Sequence, residues 1–382
     1  MATTATLQVE EEIQEKPKDL QFEDFVVDIE FHPSKDVIAS GSIEGDVFLH
    51  SYSCSKENSE LMKLSFHKKS CRVLRFSPSG EDLHTASKDK SFNTIDLNTG
   101  TLKRRVKNAH EASIYSMLVT GEDFLVTGDD DGYLKLWDLR QQRAVMEERQ
   151  SEEFLSDMAV DEDRKTLLVT SGEGTLTAFN LRRKKMELQS ELFDSEFLSI
   201  AIVKSGQKVV CGCGEGELNI FTWGEWGNMS DRFPGHPMSV DCMVPLTQDI
   251  ICTGSMDGKI RAVNILPNRF IGVVGEHQGG LPVENLSLSR DKKLLASCSH
   301  DQKIKFWNVE DVQSEMVDAS KRAKKADKNK FLASSDKSDF FADLAEDEKQ
   351  DEDAGHSEDN EDYDSDDDSE EEEDDDGNDD KE

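Results

Sequence analysis

A unit of roughly 42 residues recurs along the first 310 residues of the chain, and it limits the possible folds more than any other feature. Each copy ends in alternating apolar and polar residues, and the strongest copies are Thr127–Asp138 and Ser297–Asn308. One aromatic or apolar marker recurs at positions 50, 95, 137, 179, 221, 263 and 307, with spacings of 45, 42, 42, 42, 42 and 44 residues. Such a period indicates an array of stacked supersecondary units.

Each copy also has the pattern of four short strands. Arg72–Phe76 and Val283–Leu288 alternate as half-buried strands do, and turn-forming residues such as Ser77-Pro78-Ser79-Gly80 follow the first of them. Four strands with their turns fill about 40–45 residues, which is the size of one propeller blade. The sequence therefore predicts an all-β protein with seven blades.

These residues resemble the WD40-repeat family, and the resemblance extends over roughly residues 22–312. Trp137-Asp138 is the dipeptide that gives the family its name, and Trp307-Asn308 nearly matches it. Gly235-His236 is similar to the family's Gly-His turn. The resemblance implies that residues 22–312 form a seven-bladed WD40 β-propeller.

The last repeat ends one strand short, so the ring needs a closing strand from elsewhere. The resemblance implies that the N-terminal segment, residues 1–21 and their continuation, supplies this strand. Thr6–Ile13 and Leu20–Phe25 both fit, and they remain alternatives. Pro17 argues against a single strand that runs through the gap between them.

Polar residues that look catalytic recur in several repeats. His277, Ser297 and Asp301 invite a hydrolase interpretation, but the resemblance implies that His, Ser or Thr, the hairpin Asp and Trp form a buried hydrogen-bonded tetrad within a blade. Repetition favours a structural role, since buried polar groups need partners wherever they occur. We therefore expect no catalytic site. The expected tetrads are His110, Thr127, Asp131 and Trp137, and His277, Ser297, Asp301 and Trp307.

Two other motifs superficially suggest bound ligands. Asp129–Gly132 is similar to the start of a calcium loop, but an alternating strand follows it, which favours a tight β-turn. Gly212–Gly216 opens a strand, and it therefore lacks the helix N-terminus that binds phosphate. Cys211 and Cys213 have no second Cys or His pair at zinc-site spacing. The sequence predicts no metal and no cofactor.

The residue before each hairpin acid is expected to face the narrow mouth of the propeller. Gly172 and Gly214 occupy this position in blades 4 and 5. Blades 6, 7, 1 and 2 instead carry side chains that can anchor a partner protein. These candidate partner-binding residues are Ile43, Lys88, Met256 and His300.

A basic linker, residues 313–345, follows the repeats. Its run of cations is typical of a nuclear import signal or a nucleic-acid contact, with a solvated helix as the alternative. The candidate import residues are Lys321, Arg322, Lys324 and Lys325. Phe340-Phe341 interrupts an otherwise polar stretch and suggests a short docking motif.

The chain has a formal net charge of −36, and much of this charge lies in the acidic tail, residues 346–382. With so few apolar residues the tail is predicted to be disordered, and its charge suits basic partners. Ser357, Ser365 and Ser369 each precede acids and are candidate sites for acidophilic kinases. No window approaches the roughly 18 apolar residues of a membrane span, so we expect no membrane association.

Four further stretches resemble one subfamily of WD40 proteins: Asp46–Cys54, Val240–Pro245, Ile260–Asn268 and Ser338–Ala342. That resemblance implies a nucleolar protein that modulates ribosomal RNA production, with the cytoplasm as a second location. The expected function is a non-catalytic scaffold in ribosome biogenesis that binds basic assembly factors. Basic rims at Lys103–Arg105 and Arg182–Lys185 raise the further expectation of contact with pre-ribosomal RNA.

Two alternative functions remain open. Trp137-Asp138-Leu139-Arg140 matches the Trp-Asp-x-Arg motif through which propellers dock on the adaptor of cullin-4 ubiquitin ligases. In that interpretation the chain is a substrate receptor, and Arg140 contacts the adaptor. The second alternative is a histone chaperone, because an acidic tail beside a propeller suits histones.

Overall fold

The computed structural model describes residues 16–313, which contain 28 β-strands, one 3₁₀ helix and a helical turn at residues 310–313. The chain divides into the units Met1–Lys321 and Arg322–Glu382, and the described residues all belong to the first. Within the described part, no helix has the length and apolar character that crossing a bilayer requires.

The strands form seven antiparallel sheets of four strands each. In chain order they are β1 (Leu20–Gln21), β2 (Val26–Phe31), β3 (Val37–Ser42), β4 (Val47–Ser51), β5 (Ser59–Leu64), β6 (Cys71–Phe76), β7 (Asp82–Ser87), β8 (Phe92–Asp96), β9 (Thr101–Val106), β10 (Ile114–Val119), β11 (Phe124–Asp129), β12 (Tyr133–Asp138), β13 (Ala144–Arg149), β14 (Leu155–Val160), β15 (Thr166–Ser171), β16 (Leu176–Asn180), β17 (Lys185–Gln189), β18 (Phe197–Val203), β19 (Lys208–Cys213), β20 (Leu218–Thr222), β21 (Asp231–Phe233), β22 (Val240–Pro245), β23 (Ile250–Ser255), β24 (Lys259–Asn264), β25 (Arg269–Glu276), β26 (Val283–Leu288), β27 (Leu294–Ser299) and β28 (Lys303–Asn308). The 3₁₀ helix is Gln278–Gly280.

Blades 1 to 6 each contain four consecutive strands, from β2–β5 to β22–β25, and blade 7 contains β26–β28 with β1. The first strands of neighbouring blades contact each other around the ring. All seven marker positions lie on the third strand of their blade. The predicted seven-bladed all-β propeller is therefore confirmed.

The core lies between blades, which explains why a single repeat cannot fold alone. One apolar cluster joins Leu134 and Leu136 of blade 3 to Leu155, Leu167 and Phe179 of blade 4. Each blade thus buries the apolar face of its neighbour, and burial of this kind is the main stabilising contribution.

The ring is closed by Leu20–Gln21, within the second of the two expected segments. Leu20 pairs with Ile304, and its side chain packs in a cluster with Phe306. The Phe22 amide donates to the carbonyl of Gln302 over 2.9 Å and extends this contact. Thr6–Ile13, the other candidate, lies outside the described residues.

Candidate functional site

The polar residues of blade 7 form a connected set of hydrogen bonds. His277 precedes β26, and its Nε2 lies 2.7 Å from Ser297 Oγ on β27. His277 Nδ1 lies 2.9 Å from Asp301 Oδ2 in the following turn. Trp307 Nε1 on β28 donates to the same Ser297 Oγ over 2.8 Å. The structure brings together all four residues of this expected tetrad.

The tetrad of blade 3 has the same form but uses a different acid. His110 Nε2 lies 2.6 Å from Thr127 Oγ1, to which Trp137 Nε1 also donates. His110 Nδ1 meets Asp129 Oδ2 at 2.8 Å. Asp131, expected in this role, is exposed instead, and its amide donates to Asp129 Oδ1. The expectation for Asp131 is therefore wrong, because Asp129 ends the buried strand and reaches the imidazole directly.

Both tetrad hydroxyls are closed off from solvent. Thr127 and Ser297 are 0% exposed, and each oxygen is shared between an imidazole and an indole. Burial lowers the pKa of His110 and of His277, although the partner aspartate opposes this effect in each case. A nucleophile must reach its substrate, so the geometry supports cohesion between strands.

The turns between second and third strands share one end of the propeller with the loops that connect blades. The amides of Ile43 and Lys88 donate to the carbonyls of Phe25 and Ser70, which precede β2 and β6. We call this end the upper face. A Cβ atom added at Gly172 would lie 2.3 Å from the Phe154 ring, which explains why blade 4 has glycine there.

Blades 6, 7 and 1 expose apolar groups on the upper face. Met256 is 48% exposed and Ile43 is 44% exposed. His300 lies against Phe25, with 5.1 Å between ring centroids, and its Nε2 is 2.7 Å from Glu284 Oε1. Five of the 13 large hydrophobic residues that are exposed in the described part lie in the upper-face loops of these three blades. Together with His300 they form what we call the upper arc: Phe25, Ile43, Met238, Met256, Leu281 and His300.

Two carboxylates flank the upper arc on the first strands of blades 6 and 7. Burial raises the pKa of Asp241 to about 6, and the nearby negative charge of Glu284 adds to this effect. Burial also raises the pKa of Glu284, while His300 opposes the increase. Desolvated like charges of this kind attract a cation, so the arc combines apolar anchors with negative potential.

The fourth predicted partner-binding residue, Lys88, lies outside the upper arc. It is exposed on blade 2. On β6 of the same blade, Arg72 Nη1 pairs with Asp130 Oδ1 of blade 3 at 2.5 Å, and the Arg72 guanidinium lies over the Tyr115 ring. Lys88 therefore lies in the same kind of upper-face turn as Ile43, Met256 and His300, on the blade that neighbours blade 1, and it differs from them in being a cation.

Arg140 lies at the opposite end of blade 3, in the turn between β12 and β13. Its side chain is 61% exposed. Its Nε and Nη2 donate to both carboxylate oxygens of Asp138 over 2.8 Å, and this pairing lowers the pKa of Asp138. The guanidinium also lies 5.4 Å from the centre of the Phe124 ring. Arg140 is therefore accessible to a partner but already oriented within the chain.

The two basic rims differ in how far their charges are paired. In blade 2, Lys103 meets Asp82 at 2.5 Å, and Arg105 donates to the Phe66 carbonyl at 2.9 Å. In blade 4, residues 182–185 are all exposed. Of the two rims, only the one in blade 4 presents its whole run of cations to solvent.

The described residues contain no group of three or more His, Cys, Asp or Glu side chains that could hold a metal ion. Six of the seven cysteines are buried as free thiols, and Cys54 is half-buried. Burial raises the pKa of Cys213 to about 12. Gly212–Gly216, expected to open a strand, comprises the end of β19 and the turn before β20, so the element that follows it is a strand.

A family model described as WDR55 matches residues 17–312. The chain belongs to the WDR55 family. WD repeat-containing protein 55 of Rattus norvegicus is 45% identical over 342 residues, which cover 88% of this chain and 88% of the rat protein. The Homo sapiens protein of the same name is 46% identical over 307 residues, 80% of each chain. The homolog from Drosophila erecta is 38% identical over 337 residues, which cover 87% of this chain and 67% of the fly protein.

Several predicted residues of this WDR55-family chain lie outside the described part: Lys321, Arg322, Lys324, Lys325, Ser357, Ser365 and Ser369. Sequence reasoning missed Phe25, Met238, Leu281 and Glu284 in the described part. The first three lie in loops between blades, where no period marks which side chain is exposed. A large apolar residue in such a loop is the signal that could have found them.

Proposed function

We propose that this WDR55-family chain is a non-catalytic nucleolar scaffold that modulates ribosomal RNA production by binding basic ribosome-assembly factors. The observation that supports this proposal best is the upper arc. Exposed apolar and aromatic side chains in one contiguous patch are typical of binding hot spots. The partly buried Asp241 and Glu284 favour a partner segment that combines apolar and basic residues.

The proposal that assembly factors bind the upper arc is tested by measuring how much of each factor is captured by purified variants of the chain. Met256→Ala and His300→Ala should each weaken binding by about tenfold, as hot-spot truncations do. Glu215→Lys, on the same face in blade 5, is the matched control and should bind as the wild type does. Equal binding by all three variants would place the partner elsewhere.

The nucleolar location is supported by the basic run in the linker. Replacement of Lys321, Arg322, Lys324 and Lys325 by alanine should shift a fluorescent fusion from the nucleus to the cytoplasm. The same fusion with Lys184 and Lys185 replaced removes cations from the propeller and should stay nuclear. Unchanged nuclear signal in the first variant would remove this support.

A substrate receptor that docks on the adaptor of a cullin-4 ubiquitin ligase is the second candidate function, and the 61% exposure of the Arg140 side chain favours it. Arg140→Asp should abolish co-purification of the adaptor if the motif is used. Arg143→Ala, at an exposed arginine in the same turn, is the control. Adaptor that co-purifies equally with both variants would reject this candidate.

Proximity labelling separates the candidates in cells. The full chain should label pre-ribosomal proteins, and a version that ends at Val317 should lose many of them if the acidic tail contributes. Neighbours dominated by ligase subunits in both versions would favour the receptor function. Loss of histones alone on truncation would favour a histone chaperone.

A further inference from the structure

Six of the seven blades place an aromatic or imidazole ring at one corresponding position before the first strand. In blades 1, 2, 3, 5 and 6 this residue comes four positions before the strand, and in blade 7 the 3₁₀ helix lengthens the loop. The rings belong to Phe22, His67, His110, Phe193, His236 and His277. Blade 4 has Ser151 at this position.

The ring normally fills the space beside the third-strand marker. Phe193 lies 5.9 Å from Phe221 between centroids, and His277 lies 6.4 Å from Trp307. Blade 4 has the buried marker Phe179, but Ser151 supplies no ring at the corresponding loop position. It also has Val169 on β15 where the tetrads of blades 3 and 7 have a hydroxyl. Blade 4 therefore lacks both the loop imidazole and the second-strand hydroxyl that hydrogen-bond to each other in blades 3 and 7.

A cleft of 380 Å³ lies beside Ser151, although the buried Phe179 and Val169 do not line it. Its volume is within the range of about 300–1,000 Å³ typical of ligand sites. Its wall includes Gln150, whose Nε2 and Oε1 are both buried and have no hydrogen-bond partner among the described residues. An unpaired buried carboxamide costs free energy. Its persistence in a cleft points to an external partner that offers both a donor and an acceptor.

The charges around the cleft favour a cationic occupant. Glu173 Oε2 accepts from Ser151 Oγ at 2.8 Å and from the Glu152 amide at 3.2 Å. The one lining cation, Arg149, donates to the Asp131 carbonyl through Nε. Two carboxylates outnumber this one cation, so the lining has a net negative charge that disfavours phosphate and attracts Lys or Arg.

We propose that the cleft of blade 4 binds an extended, positively charged segment of a partner protein. The N–H and C=O of one residue in the segment, which point to the same side of an extended chain, pair with the Gln150 carboxamide and supply the one donor and one acceptor required. A Lys or Arg side chain of the segment meets Glu173 and Glu152. Leu192, which is 65% exposed at the rim, supplies an apolar contact. This site is separate from the upper arc and does not depend on it.

The sharpest test gives blade 4 the ring that the other blades carry at the position of Ser151. The double variant Ser151→His, Val169→Thr introduces the imidazole and hydroxyl that blade 3 uses. A phage library of random dodecapeptides is first depleted on the full-length double variant and then selected on the full-length wild type. Since both proteins carry the same acidic tail, peptides that survive depletion require the open cleft. We expect enrichment of peptides that carry Lys or Arg.

Affinities of the enriched peptides, measured by fluorescence polarisation, test the contacts. Gln150→Leu and Glu173→Lys should each weaken binding by about tenfold, because each removes one or two hydrogen-bond or charge partners. Glu215→Lys reverses the charge at the corresponding position of blade 5, where Phe193 occupies the ring position, and should leave binding unchanged. Thermal unfolding shows whether each variant is folded.

Three outcomes would overturn the proposal: no enrichment after depletion, enrichment of acidic peptides, or equal binding of the peptides to wild type and Glu173→Lys. If the double variant does not fold, Gln150→Leu takes its place in the depletion step. Gln150→Leu removes an unpaired buried amide, so it should be at least as stable as the wild type.

Discussion

The aspartate that meets the tetrad histidine does not hold one fixed place in the turn. Asp301 and Asp89 lie two residues beyond the ends of β27 and β7, and they face His277 and His67. Asp129 is instead the last residue of β11. Its Oδ1 accepts the amide of the turn while its Oδ2 faces the imidazole. One buried carboxylate therefore stabilises both the turn and the tetrad in blade 3.

This assignment predicts a large difference between two neighbouring acids. Asp129→Ala should lower the free energy of unfolding by about 2–3 kcal/mol, because it leaves a buried imidazole nitrogen and turn amides unpaired. Asp131→Ala, at an exposed position, should change it by less than about 0.5 kcal/mol. Urea unfolding of the two variants measures both values. A larger loss of unfolding free energy for Asp131→Ala than for Asp129→Ala would show that Asp131 is the tetrad acid, as the repeat pattern predicts.

The strands illustrate how far a repeat predicts structure. The markers at Trp137 and Trp307 indicated third strands correctly because a half-buried strand has a period of two that sequence shows directly. The acid of blade 3 could not be predicted, since Asp129, Asp130 and Asp131 are chemically equivalent and only backbone direction separates them. The sequence could not decide which of two segments supplies the closing strand, because apolar and polar residues alternate similarly in both.

The closing strand β1 is short, yet it covers the outer edge of β28. Leu20 is 7% exposed and packs beside Ile304 and Phe306, whose burial depends on it. An uncovered edge strand with apolar residues also invites pairing with another chain. The two residues of β1 therefore contribute more to the ring than their number suggests.

Two N-terminal deletions test this role. Removal of residues 1–21 should lower the midpoint of thermal unfolding by about 5–10 °C, because it exposes apolar groups of blade 7 and opens the ring. Removal of residues 1–15 keeps β1 and should leave the midpoint unchanged. Differential scanning calorimetry of both proteins decides the matter. An equal decrease for the shorter deletion would assign ring closure to Thr6–Ile13.

Across the whole ring, buried charges on the first strands connect blades that are distant in sequence. Asp28 on β2 accepts from Arg75 Nη1 on β6 at 2.7 Å and from the Leu74 amide at 2.6 Å. Asn285 on β26 also donates to Asp28, which links blade 7 to blade 1. Burial raises the pKa of Glu30 to about 7 and that of Asp157 to about 6, and Arg75 opposes both shifts. One guanidinium thus offsets one buried and two partly buried carboxylates.

Loss of Arg75 should therefore destabilise the propeller in a pH-dependent way. Arg75→Met leaves Asp28, Glu30 and Asp157 without their cation, and removal of one member of a buried ion pair costs about 3 kcal/mol. The pKa of each carboxyl is higher in the folded than in the unfolded protein, so the folded protein binds more protons and its stability falls as the pH rises. The loss should be largest near pH 8 and smaller near pH 5, where the carboxyls of the variant become protonated.

Arg75→Lys separates charge from packing because it keeps the cation but loses the planar guanidinium. It should be more stable than Arg75→Met at pH 8, and the two variants should converge toward pH 5. Urea unfolding at both pH values measures these differences. A loss of equal size at pH 5 and pH 8 would show that Arg75 stabilises the ring by packing alone, since only the electrostatic contribution disappears when the carboxyls are neutral.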